Sequence, residues 1–319
     1  MPITRRAFGF TALGAASLPA FPALAKAPLA GTQTPGIYRL KIGAFEVTVL
    51  SDGWLPIETK IFSGDAEGAA KLLERAFLPK DAIPTSVNEW VVNIGDKLVL
   101  VDTGTSNVFA PTLGKMQANL AAAGVDPAAV DAVILTHLHP DHVAGLLTVD
   151  KATAFTNAAV HVNEAELAFW TSAETYAKAP DNFKPFFDIA RAAIRPYADA
   201  GKLVTYKDGA TLLPGIVAMV AAGHTVGHTM IHLSSQGSEL LLWGDIVHNW
   251  ALQFPEPDRA LAFDTDQAMA IATRKKVFDM VSADKLMIAG AHLPFPGIGH
   301  VGRTSSGYAY VPGPWSEAL

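Results

Sequence analysis

Residues 136–142 read Thr136-His137-Leu138-His139-Pro140-Asp141-His142, which places three histidines and a carboxylate within six positions. The apolar run Val133-Ile134-Leu135 precedes them, and it predicts a strand that ends where the histidines begin a loop. His137 and His139 can point the same way along extended backbone, whereas Asp141 and His142 follow a turn and reach elsewhere. This spacing predicts a metal site that holds two ions.

Three later segments carry further candidate ligands, namely Gly223-His224-Thr225, Trp243-Gly244-Asp245 and Gly290-Ala291-His292. Each follows an apolar run with a glycine nearby, as expected if several strand ends pack around one pocket. Imidazole nitrogens combined with carboxylate oxygens suit zinc, while manganese, iron and cobalt stay open because affinity alone does not choose between them. We therefore expect two divalent ions per chain as cofactors.

The order H-x-H-x-D-H, G-H-T, G-D and a final histidine resembles the ligand pattern of metallo-β-lactamase fold hydrolases. The resemblance implies an α/β fold, the αββα four-layer sandwich of two mixed sheets flanked by helices. It implies one metal on His137, His139 and His224. It implies a second metal on Asp141, His142 and His292, with Asp245 shared by both, so that Asp141 and Asp245 are the catalytic carboxylates.

Within that superfamily the chain looks most like the methyl parathion hydrolase and lactonase family. The similarity runs from about Gly36 to the C-terminus and is densest in three segments, residues 97–104, 223–229 and 292–300. It implies that Asp102 and His228 support metal ligands from behind, and that His300 fixes the loop that carries His292.

The same resemblance implies an aromatic substrate pocket formed by Phe109, Trp170, Phe186 and Phe187. For Trp170, burial in a helix explains the residue almost as well. The chain departs from the family pattern in a loop before Phe186 that is one residue shorter. It also departs at His248, where the pattern has an aliphatic residue, and at Phe263, where it has a smaller one. We expect these changes to make the pocket narrower and more polar.

These features predict a secreted binuclear hydrolase that acts on lactones or aryl esters through a metal-bridging hydroxide, with phosphotriester hydrolysis open as a side activity. An organophosphate hydrolase of the methyl parathion hydrolase type is the alternative within the family. A periplasmic protein that binds metal or a ligand without catalysis is the alternative from another class. A complete ligand set favours an enzyme.

Composition favours a single enzyme domain spanning residues 37–319. The chain has 319 residues, of which 50% are hydrophobic and 17% charged, so it can bury a large core. Its net charge of -6 and scattered lysines and arginines exclude an extended basic surface for nucleic acid. We expect a small-molecule lactone, ester or organophosphate as the partner. The sequence leaves the choice between monomer and homodimer open.

The N-terminus predicts export. Arg5 and Arg6 precede the apolar stretch 8–18, and Ala23-Leu24-Ala25 offers small residues for cleavage, so residues 1–25 resemble a twin-arginine signal peptide. The apolar stretch is too short for a stable membrane anchor. Residues 26–36 follow as a linker, and we expect the mature protein in the periplasm or outside the cell.

Hydrophobic periodicity predicts the remaining elements. Hairpins are expected over 38–50 and 87–101, and helices over 113–123, 164–175, 185–200 and 267–281. Further strands are expected over 160–162, 203–206, 216–221, 230–233, 240–243 and 286–289.

Overall fold

A computed structural model describes residues 29–109 and 111–317 of the chain. Its first sheet has seven strands in chain order: β1 (Ile37–Ile42), β2 (Phe45–Glu58), β3 (Ala82–Asn93), β4 (Leu98–Val101), β5 (Ala132–Ile134), β6 (Ala159–Asn163) and β7 (Leu203–Tyr206). The first four strands are antiparallel, with short hairpins joining β1 to β2 and β3 to β4 and a longer segment that contains a helix joining β2 to β3. Strands β4 to β7 are parallel.

The second sheet also has seven strands: β8 (Thr211–Leu213), β9 (Ile216–Val220), β10 (Thr229–Ser235), β11 (Ser238–Leu242), β12 (Ile288–Ala289), β13 (Ile298–Arg303) and β14 (Tyr308–Pro312). Neighbouring strands are antiparallel except for β11 and β12. A long connection joins that parallel pair, as parallel pairing requires.

Eight α-helices lie among the described residues: α1 (Ala66–Arg75), α2 (Met116–Ala122), α3 (Pro140–Val143), α4 (Glu164–Thr171), α5 (Ala173–Lys178), α6 (Lys184–Asp199), α7 (Trp250–Gln253) and α8 (Gln267–Asp284). The α6 helix packs on the first sheet through Phe187, Ile194 and their neighbours. The α8 helix packs on the second sheet through Val277, Phe278 and Val281.

The layer between the two sheets is a dry apolar core. Alternate residues of β2 and β4, such as Val49 and Val101, meet Ile231 and Leu242 of the second sheet, and all four are fully buried. Because side chains alternate across a strand, the other faces of these strands are free to pack on helices. The result is helix, sheet, sheet, helix, which confirms the four-layer sandwich expected from the sequence.

The observed elements differ from the sequence expectation in one helix that is split and in several elements that were not expected. The expected helix 164–175 is two helices separated at Ser172, which is extended (φ -65°, ψ 120°) and caps the second helix by accepting a hydrogen bond from the Thr175 N–H. The sequence pattern also did not predict α1, α3, α7, β8, β13 or β14.

Strand direction determines where the candidate ligands gather. The carboxyl ends of β4 and β5 in the first sheet and of β11 and β12 in the second face the same edge of the sandwich. Residues 136–142 leave β5 there, and the segments after β11 and β12 carry Asp245 and His292. The fold therefore brings together segments that are far apart in sequence.

Residues 1–28, which carry the expected signal peptide, lie outside the described part of the chain. Within residues 29–109 and 111–317, no helix combines the length and apolar character that crossing a bilayer requires.

Gly145 allows the histidine-rich loop to close onto the end of β4. Its N–H donates to the Gly104 carbonyl, and the Thr103 N–H donates to the His142 carbonyl. We predict that Gly145→Ala costs about 1–3 kcal/mol or more of unfolding free energy in urea, because its methyl group would collide with the Thr103 carbonyl oxygen. Gly302→Ala is the matched control, since its methyl would meet Val311 Cγ2, the end of a side chain, at 3.3 Å and the Ala309 carbonyl oxygen at an ordinary contact distance of 3.8 Å. Equal unfolding free energies for the two variants would contradict this role of Gly145.

Candidate metal centre

The histidine-rich loop is anchored on the strand beside it. Asp102, at the end of β4 with φ 59°, accepts hydrogen bonds from the Thr136 N–H and Thr136 Oγ1, both at 2.8 Å. Its Oδ2 also lies 2.8 Å from His142 Nδ1. Asp102 therefore orients the imidazole of His142 from behind, as the family resemblance implied for this residue.

Among the described residues, three groups of side chains have ligand atoms that lie within 4.8 Å of one another, and the third of them is Asp245, His248 and His292. The first group is His137, His139, His224 and Asp245, and the second is Asp141, His142 and His292. Asp245 Oδ2 lies 3.2 Å from His224 Nε2 of the first group and 3.1 Å from His292 Nε2 of the second. One carboxylate thus contacts both groups.

The atoms of this cluster fit divalent cations. Nε2 of His137, Nε2 of His142 and Oδ1 of Asp245 are buried without a hydrogen-bond partner. Leaving buried polar atoms unpaired costs free energy, which a bound cation would recover. Nitrogen and carboxylate oxygen are the donors that zinc prefers, so these residues could hold metal.

Three partners of the ligands are not recognisable from the sequence. Asp264 Oδ1 lies 2.8 Å from His224 Nδ1, and the Ser86 carbonyl lies 2.8 Å from His292 Nδ1. The third partner is Glu166, which is fully buried in α4. An Asn163-x-x-Glu166 spacing signals a helix start, but nothing in the sequence signals its burial.

Glu166 ties the ligand-bearing loops together. Its Oε1 accepts from the Leu138 N–H at 3.1 Å and from Trp170 Nε1 at 2.6 Å. Its Oε2 accepts from the Gly227 N–H at 2.8 Å. These three donors offset the free-energy cost of burying the Glu166 carboxylate. Glu166 therefore holds residues 137–142 and 224–228 in one arrangement.

The electrostatics of the cluster favour added positive charge. Burial opposes protonation of His224, but hydrogen bonds to Asp245 and Asp264 outweigh it and raise its pKa to about 9. Burial likewise opposes ionisation of Asp245, yet His142 and His292 hold its pKa well below the usual range. His228 is different, because burial lowers its pKa to about 3. The carboxylates therefore attract cations, whether protons or metal ions.

A cleft of about 120 Å³ opens onto this cluster. Leu55, Ile57, Phe109, Phe186 and Phe263 form its apolar wall, and Asp141 and His248 are among its polar residues. The Phe186 ring lies 6.2 Å from that of Phe263 and 6.4 Å from that of Phe109.

Trp170 and Phe187, which we expected in this wall, do not line the cleft. Both are buried in the core beneath the first sheet, with ring centroids 4.5 Å apart. Phe187 faces the core because consecutive helix residues point about 100° apart, so Phe186 alone of the pair turns to the cleft. Trp170 instead packs edge-on against His139 at 5.5 Å.

His228, His248 and His300, the other histidines singled out from the sequence, have different surroundings. His228 accepts a hydrogen bond at Nε2 from the Asp245 N–H (3.0 Å), so it holds the backbone of that residue. His248 lines the cleft with Nε2 3.1 Å from Asp245 Oδ2. His300 lies on β13 opposite Val311, and no side-chain hydrogen bond links it to the His292 loop within the described residues.

Fold and site together define a hydrolase class. The family model of the metallo-β-lactamase superfamily matches residues 82–292, and the chain belongs to that superfamily. No curated protein matches the chain in sequence.

Solved structures agree with this assignment. The hydrolase AbOPH of the β-lactamase superfamily is 34% identical with a TM-score of 0.86, over 90% of this chain and 100% of that one. AidC, a dizinc quorum-quenching lactonase solved with its hexanoyl-homoserine product, is 27% identical with a TM-score of 0.81, over 89% and 99%. A Staphylococcus aureus protein described as a probable metal-dependent hydrolase shares the fold at 20% identity and a TM-score of 0.66, over 79% of this chain and 91% of that one.

We predict that apparent metal affinity rises with pH. The metal-free protein keeps a proton on His224 up to about pH 9, and a binding cation must displace it. Displacement of the His224 proton should therefore raise affinity about tenfold per pH unit between pH 6.5 and 9. A chelator competition titration measures it. Asp264→Asn removes one of the charges that raise this pKa, so the rise should end at lower pH. A flat profile between pH 7 and 9 would contradict the prediction.

Proposed function

We propose that the chain is a binuclear metallohydrolase of lactones or aryl esters. One observation carries the proposal: two groups of ligands share Asp245 at the floor of an aromatic cleft. A protein that only bound metal would not need an apolar wall beside the ions, since that wall suits an organic substrate. The lactonase activity of AidC supports the same substrate class.

Two ions bound in these groups would supply a nucleophile from water at neutral pH and polarise the scissile carbonyl. The chain's own residues position the reaction. Asp141, whose Oδ2 lies 3.4 Å from His292 Nε2, is the more exposed carboxylate of the cluster and faces the cleft. Phe109, Phe186 and Phe263 exclude bulk water and seat the apolar part of a substrate.

The width of the cleft favours a carbonyl over a phosphotriester. Planar lactones present a small reacting centre, whereas a tetrahedral phosphorus with three substituents needs more room. The space of about 120 Å³ is bounded by Phe263, which contacts Phe186 on one side and Phe183 on the other, at 6.4 Å. The narrowness of the cleft therefore supports lactone or aryl ester hydrolysis, with phosphotriester hydrolysis as a weaker activity.

We predict that kcat/KM for an aromatic lactone such as dihydrocoumarin exceeds that for methyl parathion, on protein shown by elemental analysis to hold two divalent ions per chain. Phe263→Leu should shift the ratio of the two kcat/KM values toward the phosphotriester, because it widens the cleft. Phe187→Leu is the matched control, since Phe187 lies in the core away from the wall.

Three results would argue against the proposal. A wild type that prefers methyl parathion would favour an organophosphate hydrolase. If Phe263→Leu left the ratio of the two kcat/KM values unchanged, the width of the cleft would not explain the specificity. A metal-loaded protein that hydrolyses no lactone, aryl ester, phosphotriester or β-lactam would favour the non-catalytic binding protein.

We also propose that this hydrolase is exported by the twin-arginine route. The support is the Arg5-Arg6 pair before an apolar stretch, and the absence of any cysteine, which fits a chain that folds without disulfides. Arg5→Lys combined with Arg6→Lys should retain precursor in the cytoplasm, because lysine lacks the guanidinium fork. Sequencing the N-terminus of periplasmic protein should place it near Lys26. Unchanged export of the double variant would refute the route.

A further inference from the structure

The carboxylate of Asp245 has more imidazoles around it than two ligand groups require. Within the described residues, five histidines place Nε2 within 3.6 Å of it. Around Oδ2 these are His248 at 3.1 Å, His292 at 3.1 Å, His224 at 3.2 Å and His137 at 3.6 Å, and beside Oδ1 it is His142 at 3.3 Å. His248 is absent from the expected ligand pattern, although it forms a third group with Asp245 and His292 whose ligand atoms lie within 4.8 Å of one another.

Four of these five rings have an acceptor for the nitrogen that points away from Asp245. The Nδ1 partners are Asp102 for His142, Asp264 for His224 and the Ser86 carbonyl for His292, each at 2.8 Å. The fourth is Thr136 Oγ1 for His137, at 3.1 Å. An acceptor at Nδ1 keeps the proton there, so Nε2 presents its lone pair to a metal.

His248 has the opposite arrangement. Its Nδ1 is buried and has no hydrogen-bond partner, so a proton placed there would be an unsatisfied buried donor. A proton on Nε2 has an acceptor 3.1 Å away, Asp245 Oδ2. The neutral ring therefore carries its proton on Nε2, which leaves that nitrogen no lone pair for a metal.

We propose that His248 is a positioning residue that donates a hydrogen bond from Nε2 to Asp245, and that it is not a metal ligand. This inference rests on the binuclear centre of the proposed function. The ring is well placed for the task. It stacks on His292 with centroids 4.8 Å apart and planes at 24°, and its backbone N–H donates to Gln253 Oε1 at 2.7 Å.

The donor makes the two oxygens of Asp245 unequal. Nε2 of His248 lies 3.1 Å from Oδ2, which Nε2 of His292 also approaches at 3.1 Å, whereas Oδ1 has no hydrogen-bond partner. A shared carboxylate that could rotate freely would exchange its oxygens between the two ligand groups. His248 restrains that rotation and so holds the carboxylate in the orientation that serves both groups.

Nitrogen NMR of protein labelled with ¹⁵N-histidine and loaded with ¹¹³Cd tests the assignment directly. Loss of one ring's signals in His248→Gln identifies His248. We expect its Nε2 to show a one-bond coupling to hydrogen and no coupling to cadmium. A cadmium coupling at either nitrogen of His248 would overturn this inference alone. Failure to bind cadmium would overturn both this inference and the proposed binuclear function.

Paired variants test the positioning role. His248→Leu removes the donor at similar size and should weaken binding of the less tightly held ion about tenfold or more, the usual effect of losing a partner of a metal ligand. His248→Gln keeps an N–H donor and should retain most of that affinity. His232→Leu, which removes an imidazole paired with Glu239 on the second sheet, should leave affinity unchanged. Equal affinities for the Leu and Gln variants would refute the donor role.

Discussion

The structure depends on burying one carboxylate among imidazoles. Asp245 is 3% exposed, and an ionised group in such a place is stable only when its charge is compensated. The compensation comes from imidazole rings, four of which are oriented from outside the cluster by Asp102, Asp264, Thr136 Oγ1 or the Ser86 carbonyl. These partners belong to different strands and loops, so the two sheets must meet in one register for the cluster to exist.

The ligands could be found from the sequence because their signal is local. Three histidines and an aspartate within six positions are recognisable without any structure. His224, Asp245 and His292 each follow an apolar run. The outer partners carry no such signal. Asp264 becomes significant only through its contact with His224, 40 positions away along the chain, and Glu166 only through its burial.

The fold was predictable to a similar extent and for related reasons. Strands with a continuous or alternating apolar pattern, such as β9 and β10, were expected near their observed positions, because their buried side chains fill the layer between the sheets. β13 was missed because glycines interrupt its pattern. Phe186 and Phe187 show a further limit: both suit a buried helix face, and only tertiary packing decides which of them reaches the cleft.

The wall of the cleft and the metal ligands come from largely separate segments. Phe109 and Phe186 belong to a loop and a helix that supply no ligand, whereas Phe263 directly precedes Asp264, whose Oδ1 lies 2.8 Å from His224 Nδ1. Evolution can therefore alter substrate range by exchanging wall residues while the reaction centre stays intact. Such modularity would let one scaffold diversify toward new compounds, whereas His248, which lines the cleft and lies 3.1 Å from Asp245 Oδ2, links substrate range to metal binding.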